Sequence, residues 1–218
     1  MKIKILKKTL KNIFIKHGLN KFHAQTSSNY ILKAELVGAS SHGLTRLKMY
    51  CNRLKKKLIR KICEAENIDA KKISPQFIIA FIDSWKNKGL LFQDVKIKKG
   101  NLLESKVLKV YEIYQKKIKD LNAMDFGDLI LNTVTLFEKS KEIAEIYRKN
   151  FKYILVDEYQ DTNFIQNKWL NLLVNSNQNI CCVGDDDQSI YSWRGAEIKN
   201  FLTFDKIYPN CKVYKLEQ

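Results

Sequence analysis

Two short apolar runs, each ending abruptly in acidic residues, constrain this chain more than any other feature. Tyr153-Ile154-Leu155-Val156 runs directly into Asp157-Glu158, and Asn179-Ile180-Cys181-Cys182-Val183 runs into Gly184-Asp185-Asp186-Asp187. Between them, Phe164 to Val174 carries apolar residues at helical spacing. Strand, helix, strand with continuous apolar strands predicts a parallel sheet covered on both faces. Polar residues at the ends of such strands stand at the edge where open α/β sheets bind ligands. Lys212-Val213-Tyr214-Lys215-Leu216 reads as a third strand.

Upstream the pattern is helical. Residues 3–17 and 21–36 predict two helices separated by Gly18, and a small-residue loop, Gly38 to Gly43, precedes a helix from about Leu44 into the lysine run 55–57. Ser74-Pro75 is a helix start and Gly89 a stop, with Phe77, Ile78, Phe81, Ile82 and Trp85 forming a stripe expected in a core. Further helices are predicted over about 101–119, over 126–139 with Asp125 as cap, and over about 141–150. The fold class is therefore α/β, a helical N-terminal two-thirds followed by an incomplete parallel sheet.

Charge follows the same division. The chain of 218 residues has a net charge of +16; residues 151–218 hold 7 Lys/Arg and 9 Asp/Glu, and residues 1–150 hold 32 and 14. A basic body beside a locally acidic segment suits a nucleic-acid binder with a metal or nucleotide site. Only five of the 39 basic residues are arginine, as an AT-rich coding sequence would also give, so charge alone leaves nucleic-acid binding open. No stretch reaches the roughly 18 apolar residues of a membrane span, and Lys7, Lys8 and Lys11 interrupt any signal-peptide core. A cytoplasmic location is expected. The five cysteines (51, 63, 181, 182, 211) have no metal-ligand spacing and are expected to be buried thiols.

The acidic clusters carry the chemistry. Phosphoanhydride hydrolysis needs a carboxylate to hold Mg²⁺ and a second group to orient or deprotonate water. Asp157 and Glu158 at one strand end offer both, although Asp-Glu after an apolar run also fits a solvated strand end. The segment from Gly184 to Gly195 adds Gln188, Tyr191, Trp193 and Arg194. Exposed aromatics and arginine can stack on unpaired bases; the alternative is that Tyr191 and Trp193 fill core.

ILVDEYQDTN and VGDDDQSIYSWRGAE resemble helicase motifs II and III of the UvrD/PcrA/Rep family, superfamily-one helicases moving 3′ to 5′ on single-stranded DNA. MDFGDLI at 124–130 is similar to another family segment, residues 65–90 resemble the family's helical insertion domain, and YKLEQ resembles the lead-in to the next motif. The resemblance covers roughly Arg53 to Gln218. It implies a P-loop NTPase-like (RecA-like) core with ATP and Mg²⁺ as cofactors and single-stranded DNA as partner. By the same resemblance Asp157 is the Mg²⁺-binding acid, Glu158 the general base and Gln188 the γ-phosphate sensor. Gln160 and Asp161 would bridge the two motifs. Tyr191, Trp193 and Arg194 would join the ATP site to DNA, Trp193 as the stacking platform.

The family's phosphate loop, G-x-x-x-x-G-K-[ST], does not occur: no glycines fall five apart ahead of Lys-Ser or Lys-Thr. A second motor domain is likewise not recognisable. Without that lysine and the facing arginines, of which one arginine finger alone contributes about 10³–10⁵-fold, the chain is expected not to hydrolyse ATP by itself. A complementing helicase polypeptide is a partner this implies. Absence of the first strand and the phosphate-loop helix is expected to leave a sheet edge or apolar face uncovered, with poor solubility.

ILKAELVGASSHGLTRLKMYCNRL resembles the N-terminal region of the malate/L-lactate dehydrogenase family distinct from the Rossmann-type enzymes, which would make His42 an active-site histidine; otherwise it is an ordinary loop histidine. Three segments are therefore expected: 1–52 dehydrogenase-like, 53–122 helical insertion domain, and 123–218 partial ATPase domain, with a gene fusion or decayed frame joined near Arg53-Leu54. The alternatives to a helicase fragment are a non-catalytic single-stranded DNA-binding or regulatory module and a dehydrogenase-like remnant.

Overall fold

A computed structural model describes residues 2–36, 47–69, 72–174, 179–189 and 195–215. The chain forms two compact units: residues 1–82 with 95–125, and residues 83–94 with 126–218. The joint expected near Arg53 falls inside a helix, and the 122/123 boundary lies three residues before the passage at Asp125.

The first unit is helical. It contains α1 (Lys2–Lys16), α2 (Lys21–Leu36), α3 (Leu47–Ala65), the start of α4 (Pro75–Asn87) and α5 (Leu102–Asp120). Local chemistry sets the helix starts. Asn20 Oδ1 accepts from His23 N at 2.8 Å, Ser74 Oγ from Phe77 N at 3.2 Å, and Asn101 Oδ1 from Glu104 N at 3.1 Å, each satisfying an amide that the first turn leaves without an intrahelical acceptor. Leu10 and Phe14 of α1 bury against Ala24, Ile31 and Leu32 of α2, with Leu47, Tyr50 and Leu54 of α3 packed on them. Val107, Val110, Tyr111 and Tyr114 of α5 are also buried. Among them sits a charged group: Lys55 Nζ lies 2.8 Å from Asp125 Oδ2, with both side chains under a tenth exposed. The same carboxylate oxygen accepts from Tyr114 Oη at 3.0 Å.

The expected core stripe of α4 is partly corrected. Ile78 and Ile82 are fully buried and Trp85 nearly so, but Phe77 is exposed, its ring tilted at 42° to that of Phe81 with centroids 4.7 Å apart. Five apolar residues over nine positions cover more of the helix circumference than one contact can bury.

The second unit holds the sheet. β1 (Ile154–Val156) and β2 (Ile180–Cys182) pair in parallel, Leu155 opposite Cys181. Helices α6 (Phe126–Lys139), α7 (Lys141–Asn150) and the crossover α8 (Phe164–Leu173) pack on one another. Their cores are Leu131, Val134 and Ile165, and Phe137, Ala144 and Leu173, with Ile154 of β1 on the latter. A capping box starts α8: Asn163 Oδ1 accepts from Gln166 N at 3.0 Å, and Gln166 Oε1 accepts from Asn163 N at 2.9 Å. Lys86 Nζ and Asp128 Oδ1 form a second buried ion pair at 2.7 Å. MDFGDLI thus supplies one acid to each unit, Asp125 to the first and Asp128 to the second.

Two expectations are corrected here. The sheet is covered on one face only: Ile154, Val156, Ile180 and Cys182 are half-buried, whereas Leu155 is 81% exposed and Cys181 and Val183 are exposed beside it. Among the described residues no element lies over that face. Lys212–Lys215 form no strand, and Val213 and Tyr214 are exposed, because no ladder partner meets them among the described residues; Leu216 lies outside that set. Short helices α9 (Lys199–Leu202) and α10 (Phe204–Ile207) instead precede this segment.

The cysteines divide accordingly. Cys51 and Cys63 are buried, Cys182 and Cys211 half-buried and Cys181 exposed. Burial pushes the Cys182 thiol up to about 12, which withholds the reactive thiolate. At pH 8 iodoacetamide is expected to modify Cys181 at least about tenfold faster than Cys182. Timed alkylation read by peptide mass spectrometry checks the order; equal rates at the two neighbours would contradict a one-sided sheet.

Candidate functional site

The two strand ends are tied together before any side chain contributes. Val183 N donates to Val156 O at 2.8 Å and Tyr159 N to Val183 O at 3.0 Å, extending the ladder past both strands. The chain then turns sharply at Glu158, whose φ of 51° and ψ of 43° are left-handed. A 3-10 turn over Tyr159–Asp161 follows, and a second one covers Asp186–Gln188 after β2.

The turn at Glu158 separates the acids from the residue that links them. Asp157 and Glu158 face solvent, and Asp157 Oδ1 accepts from Glu158 N at 3.0 Å. Gln160 is 1% exposed. Its Nε2 donates to Glu158 Oε2 at 2.7 Å, and its Oε1 accepts from Asp185 N at 3.1 Å. Asp185 then accepts from Gln188 Nε2 at 2.6 Å and from Asp187 N at 3.0 Å. A continuous hydrogen-bonded path therefore runs Glu158, Gln160, Asp185, Gln188. Gly184 permits it, since a Cβ there would collide with Gln160 Oε1 and approach the Phe201 ring to 3.0 Å.

Behind this path lies a polar brace. Tyr159 Oη donates to Asn167 Oδ1 at 2.7 Å, and burial pushes its phenol well up, keeping it a donor. Asn167 Nδ2 donates to Asn200 Oδ1 at 3.1 Å, and Asn200 Nδ2 to Thr162 O at 3.2 Å. Asp161 is half-buried, and its Oδ1 is enclosed with no hydrogen-bond partner among the described residues. Tyr191, Trp193 and Arg194, like His42, lie outside the described residues.

Of the residues named from sequence, the structure brings Glu158, Gln160 and Gln188 into one path and sets Asp157 and Asp161 on either side of the turn. Sequence reasoning did not single out Asp185, Asn167 or Asn200. Asp185 had a signal, an acid one residue after the strand-ending Gly184, in position to cap the next turn. The two asparagines had none, since each is an ordinary polar residue of a helix.

Whether these groups fit a divalent cation is a matter of donor count. Among the described residues no cluster of three His, Cys, Asp or Glu occurs. Mg²⁺ typically takes one or two protein carboxylates and completes its shell with water and substrate phosphates. The exposed, all-oxygen Asp157–Glu158 pair fits that requirement and does not fit a site built from protein ligands alone.

The family model of the UvrD/REP helicase N-terminal domain matches residues 1–209. A probable DNA helicase II homolog of Rickettsia conorii is 47% identical over 163 residues, covering 74% of this chain and 25% of the relative. The DNA helicase II of Rickettsia typhi is 47% identical over 154 residues, 70% of this chain and 23% of its own. The ATP-dependent DNA helicase PcrA of Staphylococcus epidermidis is 43% identical over 163 residues, 75% and 22% respectively. The chain spans about a quarter of the length of the curated relatives it matches.

Proposed function

Because the chain belongs to the UvrD/REP helicase family, we propose that its second unit is part of the RecA-like motor core of a cytoplasmic 3′ to 5′ DNA helicase, acting with ATP, Mg²⁺ and single-stranded DNA. The observation that carries this reading is the path Glu158–Gln160–Asp185–Gln188, which joins the ends of two parallel strands through a buried amide. In a motor, a group that positions water must be mechanically coupled to the group that senses the terminal phosphate. Gln160 supplies that coupling by bonding to both sides at once.

Asp157 would hold Mg²⁺, whose chemistry is to neutralise charge on the phosphates. Glu158 orients or deprotonates the attacking water, Gln188 senses the γ-phosphate, and Asp161 helps fix the two segments to each other. Tyr191, Trp193 and Arg194 carry the response to DNA, with Trp193 stacking on a base. The 218 residues contain no G-x-x-x-x-G-K-[ST] pattern, so by themselves they bind DNA without turning over ATP. Turnover requires a phosphate loop and facing arginines supplied from other sequence. No helix of the described residues is long and apolar enough to cross a membrane, in keeping with this reading.

The test has two arms. ATP turnover by these 218 residues with saturating single-stranded DNA is expected to stay at the buffer rate. Trp193→Ala is expected to weaken binding of a labelled oligonucleotide about 5- to 100-fold, from about 1–3 kcal/mol per stacked base. Robust turnover that disappears in Glu158→Gln would refute the inactive reading, and unchanged DNA affinity in Trp193→Ala would refute the stacking role.

A further inference from the structure

Past Gly195 the chain returns to the turn it left. Ala196 forms an antiparallel bridge with Asn163, and Thr162 O accepts from Glu197 N at 2.9 Å and from Asn200 Nδ2 at 3.2 Å. Thr162 is fixed in turn to Tyr159, whose carbonyl accepts from Thr162 N at 3.1 Å and from Thr162 Oγ1 at 2.7 Å. The Phe201 ring stands 6.5 Å from that of Tyr159 and close against Gly184. The returning arm is also held along α8. Asn163, Asn167 and Asn171 lie four apart on one side of that helix, and they meet Ala196, Asn200 and Tyr208 respectively. Asn200 joins this ladder to the acidic turn. Only 8% exposed, it accepts from Asn167 Nδ2 at 3.1 Å through Oδ1 and donates to Thr162 O through Nδ2. An amide presents acceptor and donor from one rigid plane. A position asking only for packing would take an apolar residue, since a buried amide needs its partners to offset desolvation.

We propose that Asn200, with Asn167 behind it, is a positioning residue that transmits DNA occupancy of Tyr191–Arg194 to the turn bearing Asp157 and Glu158. The inference deepens the motor reading and rests on it, because that reading assigns Tyr191, Trp193 and Arg194 to DNA. Gln160 holds the departing strand end through Asp185, and Asn200 holds the returning arm through Thr162. Both ends of the intervening stretch are thereby tied to one short turn. A displacement of the arm reaches Thr162 through two bonds and Tyr159 through Thr162. Tyr159 N is bonded in turn to Val183 O at the end of β2. Close-packed, mutually bonded groups shift together rather than singly, which is what transmission requires. Asn171 serves a different end, since it holds Tyr208 beyond α10.

The experiment is hydrogen–deuterium exchange of the full chain, read by peptide mass spectrometry over residues 157–163, with and without a saturating single-stranded oligonucleotide. In the unaltered chain DNA is expected to slow exchange there at least about fivefold, the low end of ordinary coupling between sites. Asn200→Ala and Asn167→Ala should each reduce that slowing to under about twofold. Oligonucleotide affinity, read by anisotropy, should stay within about threefold in both, because the closed turn is already the dominant state and shifting it adds little to binding. Asn171→Ala breaks a side-chain bond of the same kind on the same helix and should keep the full slowing. Circular dichroism verifies the folding of each variant. Slowing that persists in Asn200→Ala, or is lost equally in Asn171→Ala, overturns the proposal in favour of plain bracing. Unfolding of both Asn200→Ala and Asn167→Ala, with Asn171→Ala folded, overturns it in the same direction. Trp193→Ala separates the two readings. If it leaves DNA affinity unchanged, the motor reading falls and this inference with it. If it weakens binding while DNA leaves residues 157–163 of the unaltered chain unmoved, this inference alone falls.

Discussion

Asp128→Ala is expected to destabilise the second unit by about 3–5 kcal/mol, the cost of breaking a buried ion pair from one side. Lys86 is 0% exposed and Asp128 3% exposed, with Nζ and Oδ1 2.7 Å apart. Truncating the acid removes the carboxylate while the ammonium remains in a site water does not reach, and no rotation of so enclosed a stem returns it to solvent. Lys86→Met combined with Asp128→Leu removes both charges and fills comparable volume, so it should recover most of the loss. Urea unfolding followed by tryptophan fluorescence reads this unit directly, because Trp85 and Trp169 both belong to it. A midpoint shift equivalent to under 1 kcal/mol for Asp128→Ala would show that the pair is not buried as described.

Asp125→Ala is expected to cost a similar about 3–5 kcal/mol in the first unit, with a different signature. Here one carboxylate oxygen takes both Lys55 Nζ at 2.8 Å and Tyr114 Oη at 3.0 Å, and the ammonium also lies 5.6 Å from the Tyr114 ring centroid. Removing the acid deprives two groups at once, whereas Tyr114→Phe deprives one and should cost only about 0.5–1.5 kcal/mol. No tryptophan lies in this unit, so the loss is read by far-ultraviolet circular dichroism, with fluorescence of Trp85 and Trp169 recorded alongside. Equal costs for Asp125→Ala and Tyr114→Phe would contradict the charge pairing.

Neither ion pair could be read from the sequence, and the reason is physical. Lys55 opens a run of three lysines and Lys86 follows a tryptophan near a helix end, contexts in which lysine normally faces water. Only tertiary packing distinguishes a buried ammonium from a solvated one. The helices were legible because their starts are local: Ser74, Asn101 and Asn163 each bond an amide within three residues. β1 and β2 were legible because an apolar run stopped dead at acids. The third strand failed for the opposite reason. The alternation in Lys212–Leu216 satisfies a strand's side-chain period, but a strand also requires a neighbour, and periodicity does not supply one. Coverage of the sheet failed similarly, since Leu155 is as apolar as a buried strand residue and nothing in its own segment says whether a second layer exists.

In the candidate site, Asp157, Glu158, Asp161 and both glutamines were named by residue type and by family resemblance, and Asp185 was not. Their connection depends on Gly184 bringing one loop against Gln160, a close approach visible only in three dimensions.

Among the described residues, three that are not glycine carry a left-handed backbone: Asn67, Asn122 and Glu158. The first two are the residue type that tolerates it; glutamate is not, and such a conformation costs on the order of 1–2 kcal/mol. Breeding this polypeptide for heat endurance alone would therefore push codon 158 toward asparagine or glycine. Breeding it for work on nucleotides would push the codon back, so divergent pressure at that one position distinguishes a lineage kept for its chemistry from one kept only for its shape.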